Sequence, residues 1–71
     1  MYIKVKFLKN GEPHGREYTY KATSPVRAGQ EVLLPGGGNG VVTEINVTTE
    51  SVAAFADKVK EIESVVEESK L

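Results

Sequence analysis

Apolar and charged residues alternate along residues 2–8, with Ile3, Val5 and Phe7 on one side and Tyr2, Lys4 and Lys6 on the other. A period of two marks a half-buried strand, so this segment is expected to pair in a sheet. The stretch Asn10-Gly11-Glu12-Pro13-His14-Gly15 reads as a loop, because its glycines and proline supply turn geometry and interrupt pairing. Arg16 to Ala22, rich in Tyr and Thr, forms a second strand, and the short connection suits an antiparallel hairpin. Ser24-Pro25 breaks that strand. A third strand is expected over Gln30 to Pro35, with Gly29 in a turn at positive φ before it and Pro35 ending it by removing a donor. Gly36-Gly37-Gly38-Asn39-Gly40 reads as a flexible hairpin loop, and Val41 to Thr48 as a fourth strand with Val41, Thr43, Ile45 and Val47 on one face. Leu33 and Val42 fall out of phase with their neighbours, and cover by the tail is their expected use.

Two patterns compete in the tail. Thr48 to Ser51 offers several helix N-caps, and Val52, Phe55, Ala56, Val59, Ile62 and Val66 then recur at helical spacing, which gives one amphipathic helix to about Glu68. The alternative is a short helix over 51–57 and a closing strand over about 60–66. The fold expected is mainly β: a small barrel or strongly curled antiparallel sheet of four to five strands, with one short helix near the C-terminus. Residues 1–71 would form one barrel-like domain. In a five-stranded version the last strand pairs with the first and protects both edges. An open four-stranded sheet under one helix is the simplest competitor.

Size and composition narrow the chemistry. A chain of 71 residues leaves little room for a deep, water-excluding cleft, so binding through a face, groove or loop is expected. Without cysteine there is no disulfide and no thiolate metal site. His14 is the one histidine, whereas metal sites usually need three or four ligands, so no metal or other cofactor is expected. Glu61, Glu63, Glu67 and Glu68 sit in a charged tail with no apolar pocket to raise a carboxyl pKa, and read as a solvated face. The glycine loop leads into Val41-Val42 rather than into Gly-Lys-Ser/Thr and a helix, so it is not a phosphate-binding P-loop. The protein is therefore expected not to be an enzyme. No run approaches 18 apolar residues and the start lacks the apolar core of a signal peptide, so no membrane association and a cytoplasmic location are expected.

The net charge of −1 conceals an asymmetry: residues 1–35 carry six Lys/Arg against three Glu, and residues 36–71 carry three Lys against seven Asp/Glu. Polyanion binding is thus expected to centre on the first half. Tyr18 and Tyr20 lie two apart in a strand, so their rings share a face, either as hydrophobic anchors or as a stacking surface for bases. Lys4, Lys6 and Lys21 fall on the opposite face of the hairpin, where they can touch phosphates or simply blunt edge-to-edge aggregation.

Four blocks in order carry a resemblance. They are Tyr18-Thr19-Tyr20, then Val26-Arg27-Ala28-Gly29-Gln30-Glu31-Val32-Leu33-Leu34-Pro35-Gly36-Gly37, then Gly40-Val41-Val42-Thr43-Glu44-Ile45, then Lys58-Val59-Lys60-Glu61-Ile62-Glu63-Ser64-Val65-Val66. Over residues 3–66 the chain resembles the N-terminal DNA-binding domain of primosomal protein N′, the bacterial replication-restart helicase. That domain is a small β-barrel that captures the 3′ end of a nascent strand. In the family an aromatic–Asp–Tyr triplet, a glycine after the Val-Pro strand and a lysine in the last block shape the terminal-nucleotide pocket. The matching positions are Tyr18 and Thr19, Gly36 or Gly37, and Lys60. Thr19 stands where the family has Asp, which replaces a charge-assisted hydrogen bond with one about half as strong. The loop that tends to be basic in the family is the uncharged Gly36 to Gly40.

The resemblance implies a closing strand within Lys58 to Val66, and a stand-alone binding module of bacterial or mobile-element (phage) origin. Two partner classes follow. One is single-stranded or 3′-end DNA, held by Tyr18, Thr19, Gly37 and Lys60 with Lys4, Lys6 and Lys21 as electrostatic support. The other is a protein partner, such as a host nucleic-acid enzyme that the module inhibits.

Overall fold

The computed structural model describes residues 1–23 and 25–66; Ser24, and Glu67 and Glu68 of the acidic tail, lie outside the described residues. Strand β1 (Tyr2–Lys9) turns at Asn10-Gly11 into β2 (Glu12–Lys21), and β3 (Glu31–Leu33) turns through the glycine loop into β4 (Asn39–Val47). A one-turn helix, α1 (Thr49–Val52), runs on into a 3-10 segment (Ala53–Lys58), and two short strands follow, β5 (Lys60–Glu61) and β6 (Ser64–Val65). The spatial order is β5-β2-β1-β4-β3-β6, with β5 parallel to β2 and every other pairing antiparallel.

That order fixes the shape. β5 and β6 are separated in sequence only by Ile62 and Glu63, yet they occupy opposite ends of the sheet. The sheet must therefore curl until its two edges come within reach of one short segment. Ile62 N donates to Lys21 O at 3.0 Å, and Glu63 N donates to Leu33 O at 2.8 Å, so adjacent residues bond to opposite edges. The result is a mainly β, strongly curled half-barrel with one short helix near the C-terminus, as the sequence pattern led us to expect. The strand count is six rather than four to five, because the closing segment divides around Ile62 and Glu63 to serve both edges. It pairs with β2 and β3 and not with β1, which lies between β2 and β4 in the interior of the sheet. An open four-stranded sheet is excluded by the same pairings.

Three local expectations are corrected. Residues 10–15 are not one loop: β2 begins at Glu12, and His14, Pro13 and Glu12 pair with Phe7, Leu8 and Lys9. Asn10 (φ 53) and Gly11 (φ 81) alone make the turn, matching the positive φ at both central positions that a two-residue type I′ hairpin requires. Pro13 is tolerated because β5 reaches only Tyr20 and Lys21, which leaves this stretch of β2 an open edge. Gly15 (φ 81) sits in the bulge where the register shifts between Lys6 and Phe7.

The face assignment of β4 also changes. Two bulges opposite Tyr2–Val5, one holding Asn46 at φ 58, break its period of two. Val42 thus faces Val5 inside the core, Thr43 turns outward to bond Lys4 O, and Val47 returns to a buried position. Cover by the tail is correct for Val42 only in the sense that it is buried; Leu33 stays 38% exposed. In the glycine loop, Gly36 and Gly37 take positive φ, Leu34 N bonds Gly38 O at 2.8 Å, and Asn39 Nδ2 bonds Glu31 Oε2 at 2.6 Å. The loop is therefore a bonded turn, and Gly40 already belongs to β4.

Ile3, Val5, Ala22, Val26, Val32, Leu34, Val42 and Ile62 form one core, with Tyr20, Ile45 and Val65 packed against it. No polar or charged side chain is buried among the described residues. In the tail, Thr48 caps α1 by accepting from Ser51 N at 3.2 Å. The α-helix stops at Val52, whose backbone has left helical geometry (φ −110, ψ 0); a second break at Phe55 (φ −138, ψ 19) follows before the chain is drawn onto the sheet edges. No helix among the described residues is long and apolar enough to cross a membrane.

Candidate nucleic-acid interface

The parallel pairing of β5 with β2 sets Lys60 opposite Tyr20 and Glu61 opposite Lys21. Immediately before β5 the chain diverges from β2 through Val59 into the 3-10 segment. A wedge-shaped groove of about 360 Å³ opens there, within the ~300–1,000 Å³ range of small-ligand pockets. Its β2 wall is Tyr18, Thr19 and Tyr20, and its tail wall is Phe55, Lys58, Val59 and Lys60. Two lysines and the exposed rings of Tyr18, at 48%, and Phe55, at 39%, line it beside the half-buried Tyr20, and among the described residues no carboxylate does.

Tyr18 and Tyr20 share the inner face of the hairpin, across from Val5 and Ile3. They end differently. Tyr20 is half-buried against the core, and its phenol pKa is raised above 10.0, first by burial, which disfavours the phenolate, and then by the neighbouring Tyr18. Tyr18 lies beyond the reach of β5 and keeps its ring open to solvent, where it meets Phe7 with ring centroids 5.3 Å apart. A half-exposed ring beside two cations can stack a base while the ammonium groups meet its phosphates.

Of the residues singled out from sequence, Tyr18, Thr19 and Lys60 come together in this groove. Gly37 does not join them. It lines a separate cavity of about 420 Å³ with Leu33, Leu34, Gly36, Gly38 and Glu63, where the charged side chain among the described residues is a carboxylate, unfavourable to a polyanion. Lys4, Lys6 and Lys21 lie on the outer face: Lys4 Nζ is 3.9 Å from Glu44, and Lys6 and Lys21 stand opposite Glu17 and Glu61 in the strand register. Among the described residues Lys4–Glu44 is the one salt bridge, so neither Lys58 nor Lys60 is engaged by a described carboxylate.

No family model, curated protein or solved structure matches this chain.

The function of the groove thus rests on its own chemistry. Phe55 and Lys58 escaped the sequence reading as site residues. Phe55 reads as one more apolar position in a helical repeat, whereas it sits at a kink within the 3-10 segment and lines the groove with Tyr18. Lys58 gains meaning once the tail is known to run back along β2, a long-range pairing that no local pattern encodes. Phe7 continues the inward series of Ile3 and Val5, but β4 pairing ends at Phe7↔Gly40, so its ring has no strand beyond it to pack under. The signal available was the length of the hairpin relative to its neighbours.

Proposed function

We propose that this protein is a non-catalytic module that binds single-stranded nucleic acid, including its 3′ end, in the groove between β2 and the tail. One observation carries the reading: the groove unites Tyr18 and Phe55 with Lys58 and Lys60, and among the described residues no carboxylate lines it. Tyr18 and Phe55 stack a base and the two lysines meet the backbone, while Thr19, opposite Lys4 in the strand register, borders the groove from the outer face. The resemblance to the end-binding domain of primosomal protein N′ supports the 3′-end part of the reading through Tyr18, Thr19 and Lys60. Gly37 and the hairpin lysines are left out of the proposed site by their positions, the first in a separate cavity and the others on the outer face.

The test is a fluorescence-anisotropy titration of labelled single-stranded DNA with a free or a 3′-phosphorylated end. Two phosphate contacts on a single strand give a slope of log K against log salt near about −1.4, or roughly sevenfold weaker binding at 200 mM than at 50 mM salt. Lys60→Ala should cut that slope by about half. Tyr18→Ala should cost about 1–3 kcal/mol, the usual worth of one base stacked on an aromatic ring. Weaker binding to the blocked end places the terminus in the groove. No binding at low salt sinks the proposal and directs the search to a protein partner.

A further inference from the structure

Resting on that reading, we infer that the site takes two successive bases: one in the groove and the next on an external platform made by Phe7 and Tyr18. The platform exists because both rings sit where strand pairing stops. β4 accompanies β1 only as far as Phe7↔Gly40, and beyond that point β1 and β2 continue as a two-stranded arm. The bulge at Lys6/Phe7, with Gly15 at φ 81, redirects the arm where it leaves the sheet. Phe7, at the base of the arm, and Tyr18, opposite Val5 on the edge of β2 that β5 does not reach, stay 43% and 48% exposed, with their rings 5.3 Å apart and inclined at 41°.

Two adjoining half-exposed rings beside a groove form an apolar patch of the kind that marks an interaction site. Their mutual contact also steadies the arm, a cross-strand role worth about 0.2–1 kcal/mol by itself. That role does not require their outer faces to remain open, nor does it account for the path the rings make. Tyr18 belongs both to the platform and to the groove wall, so the two surfaces are continuous. A strand whose backbone passes Lys58 and Lys60 is thereby led from the groove onto Phe7. Exposed rings at the end of a groove that two lysines and, among the described residues, no carboxylate line complement a polyanion carrying flat bases, and this favours single-stranded nucleic acid as the occupant.

The experiment separates base stacking from added phosphate charge. Labelled oligothymidylates are titrated with all bases present or with an abasic residue at the penultimate position, which removes a base and keeps its phosphate. Wild-type protein should lose fivefold or more in affinity for the abasic strand, the low end of what one stacked base contributes. Phe7→Leu keeps an apolar side chain at an exposed position and should leave the fold intact, as checked by thermal melting. It should bind the abasic strand as wild type does and lose the preference for the intact one. Equal affinity of wild type for both strands overturns the two-base site while leaving the groove reading in place. A preference that survives Phe7→Leu overturns the platform. Failure of wild type to bind any oligonucleotide overturns the groove reading and this inference together. If Phe7→Leu instead abolishes a self-association seen by sedimentation and leaves the strand preference unchanged, a second copy covers the patch and the platform is overturned.

Discussion

Adding one methyl group at Gly40 tests the closeness of the sheet more directly than any truncation would. Gly40 is buried in β4, in backbone any residue can adopt, so its need for glycine is purely steric. A Cβ built there runs into the Val5 side chain and lies 3.0 Å from Leu34 Cδ1 and 3.1 Å from Lys6 O, against about 3.5–4.0 Å for a relaxed carbon contact. None of these neighbours yields cheaply. Val5 is fully buried and branched at Cβ, Leu34 is 1% exposed, and Lys6 O is backbone. Overpacking of this kind costs about 1–3 kcal/mol, and the lower entropy of the unfolded alanine chain offsets about 0.4–1 kcal/mol. Gly40→Ala should thus destabilise by about 1–2 kcal/mol, a fall in Tm of roughly 5–15 °C for a domain of this size. Gly38 is the internal control: it has open space around its position and no positive φ. Gly38→Ala should be neutral or raise stability by up to about 1 kcal/mol. Urea and thermal unfolding followed by circular dichroism read both values. A Gly40→Ala protein melting within about 2 °C of the parent, or no lower than Gly38→Ala, would refute the packing described at the β1–β4 contact.

Three further outcomes are expected. Ile62→Ala should cost about 2–5 kcal/mol by urea denaturation, since a 2%-exposed core residue is truncated where the tail reaches both sheet edges; a cost below about 1 kcal/mol would mean that the tail is not part of the core. Thr48→Ala should cost about 1 kcal/mol by removing the acceptor for Ser51 N, while Thr48→Ser should restore most of it in the same assay. Because the folded-state pKa of Tyr20 lies above its ordinary 10.0, the neutral phenol is favoured in the fold. Its contribution is fully present below about pH 10 and is lost as pH rises through the raised value. Unfolding measured from about pH 8 to pH 11 should show that loss, and Tyr20→Phe should flatten it.

Much of the sheet was legible because its strands obey simple alternation where they pair without interruption. β1 is the clear case, with Ile3 and Val5 inward and Lys4 and Lys6 outward. Legibility failed where an extra residue enters a strand. A single αL residue, Asn46, and the irregularity beside Thr43 are enough to invert the phase of β4, and turn Val42 from an apparent misfit into a core residue. Pro13 and Gly15 read as breakers because nothing local in the sequence marks this part of β2 as a bulged edge, where both are permitted. In the tail, helical spacing of Val52, Phe55, Val59 and Ile62 is real, but sheet edges with unpaired backbone groups compete for the same residues and win from Lys60 onward. For the candidate site, Tyr18, Thr19 and Lys60 could be named in advance through the ordered blocks. Phe55 and Lys58 could not, since their place follows from a parallel pairing some forty residues distant.

That pairing makes closure of the sheet and assembly of the groove a single event. The two-residue contact that sets Lys60 beside Tyr20 is also the contact that covers the edge of β2. Ile62 sits one residue beyond it in the core, and Glu63 reaches the other edge. If the tail detaches, Phe55, Lys58 and Lys60 leave together, and the wall formed by Tyr18, Thr19 and Tyr20 reverts to an open strand edge. A ligand that spans both walls binds only the closed form, so it must stabilise tail docking by mass action, by about 2.7 kcal/mol at a hundred times its Kd. In a chain this small, with total stability of order 4–10 kcal/mol, that is a large fraction. The same linkage runs in reverse: Ile62 lines no part of the groove, yet its truncation lowers the population of the closed form and must weaken binding. The loss is not separable from the loss of stability, which distinguishes Ile62 from Lys60, whose removal should alter affinity and salt dependence while leaving the melt unchanged.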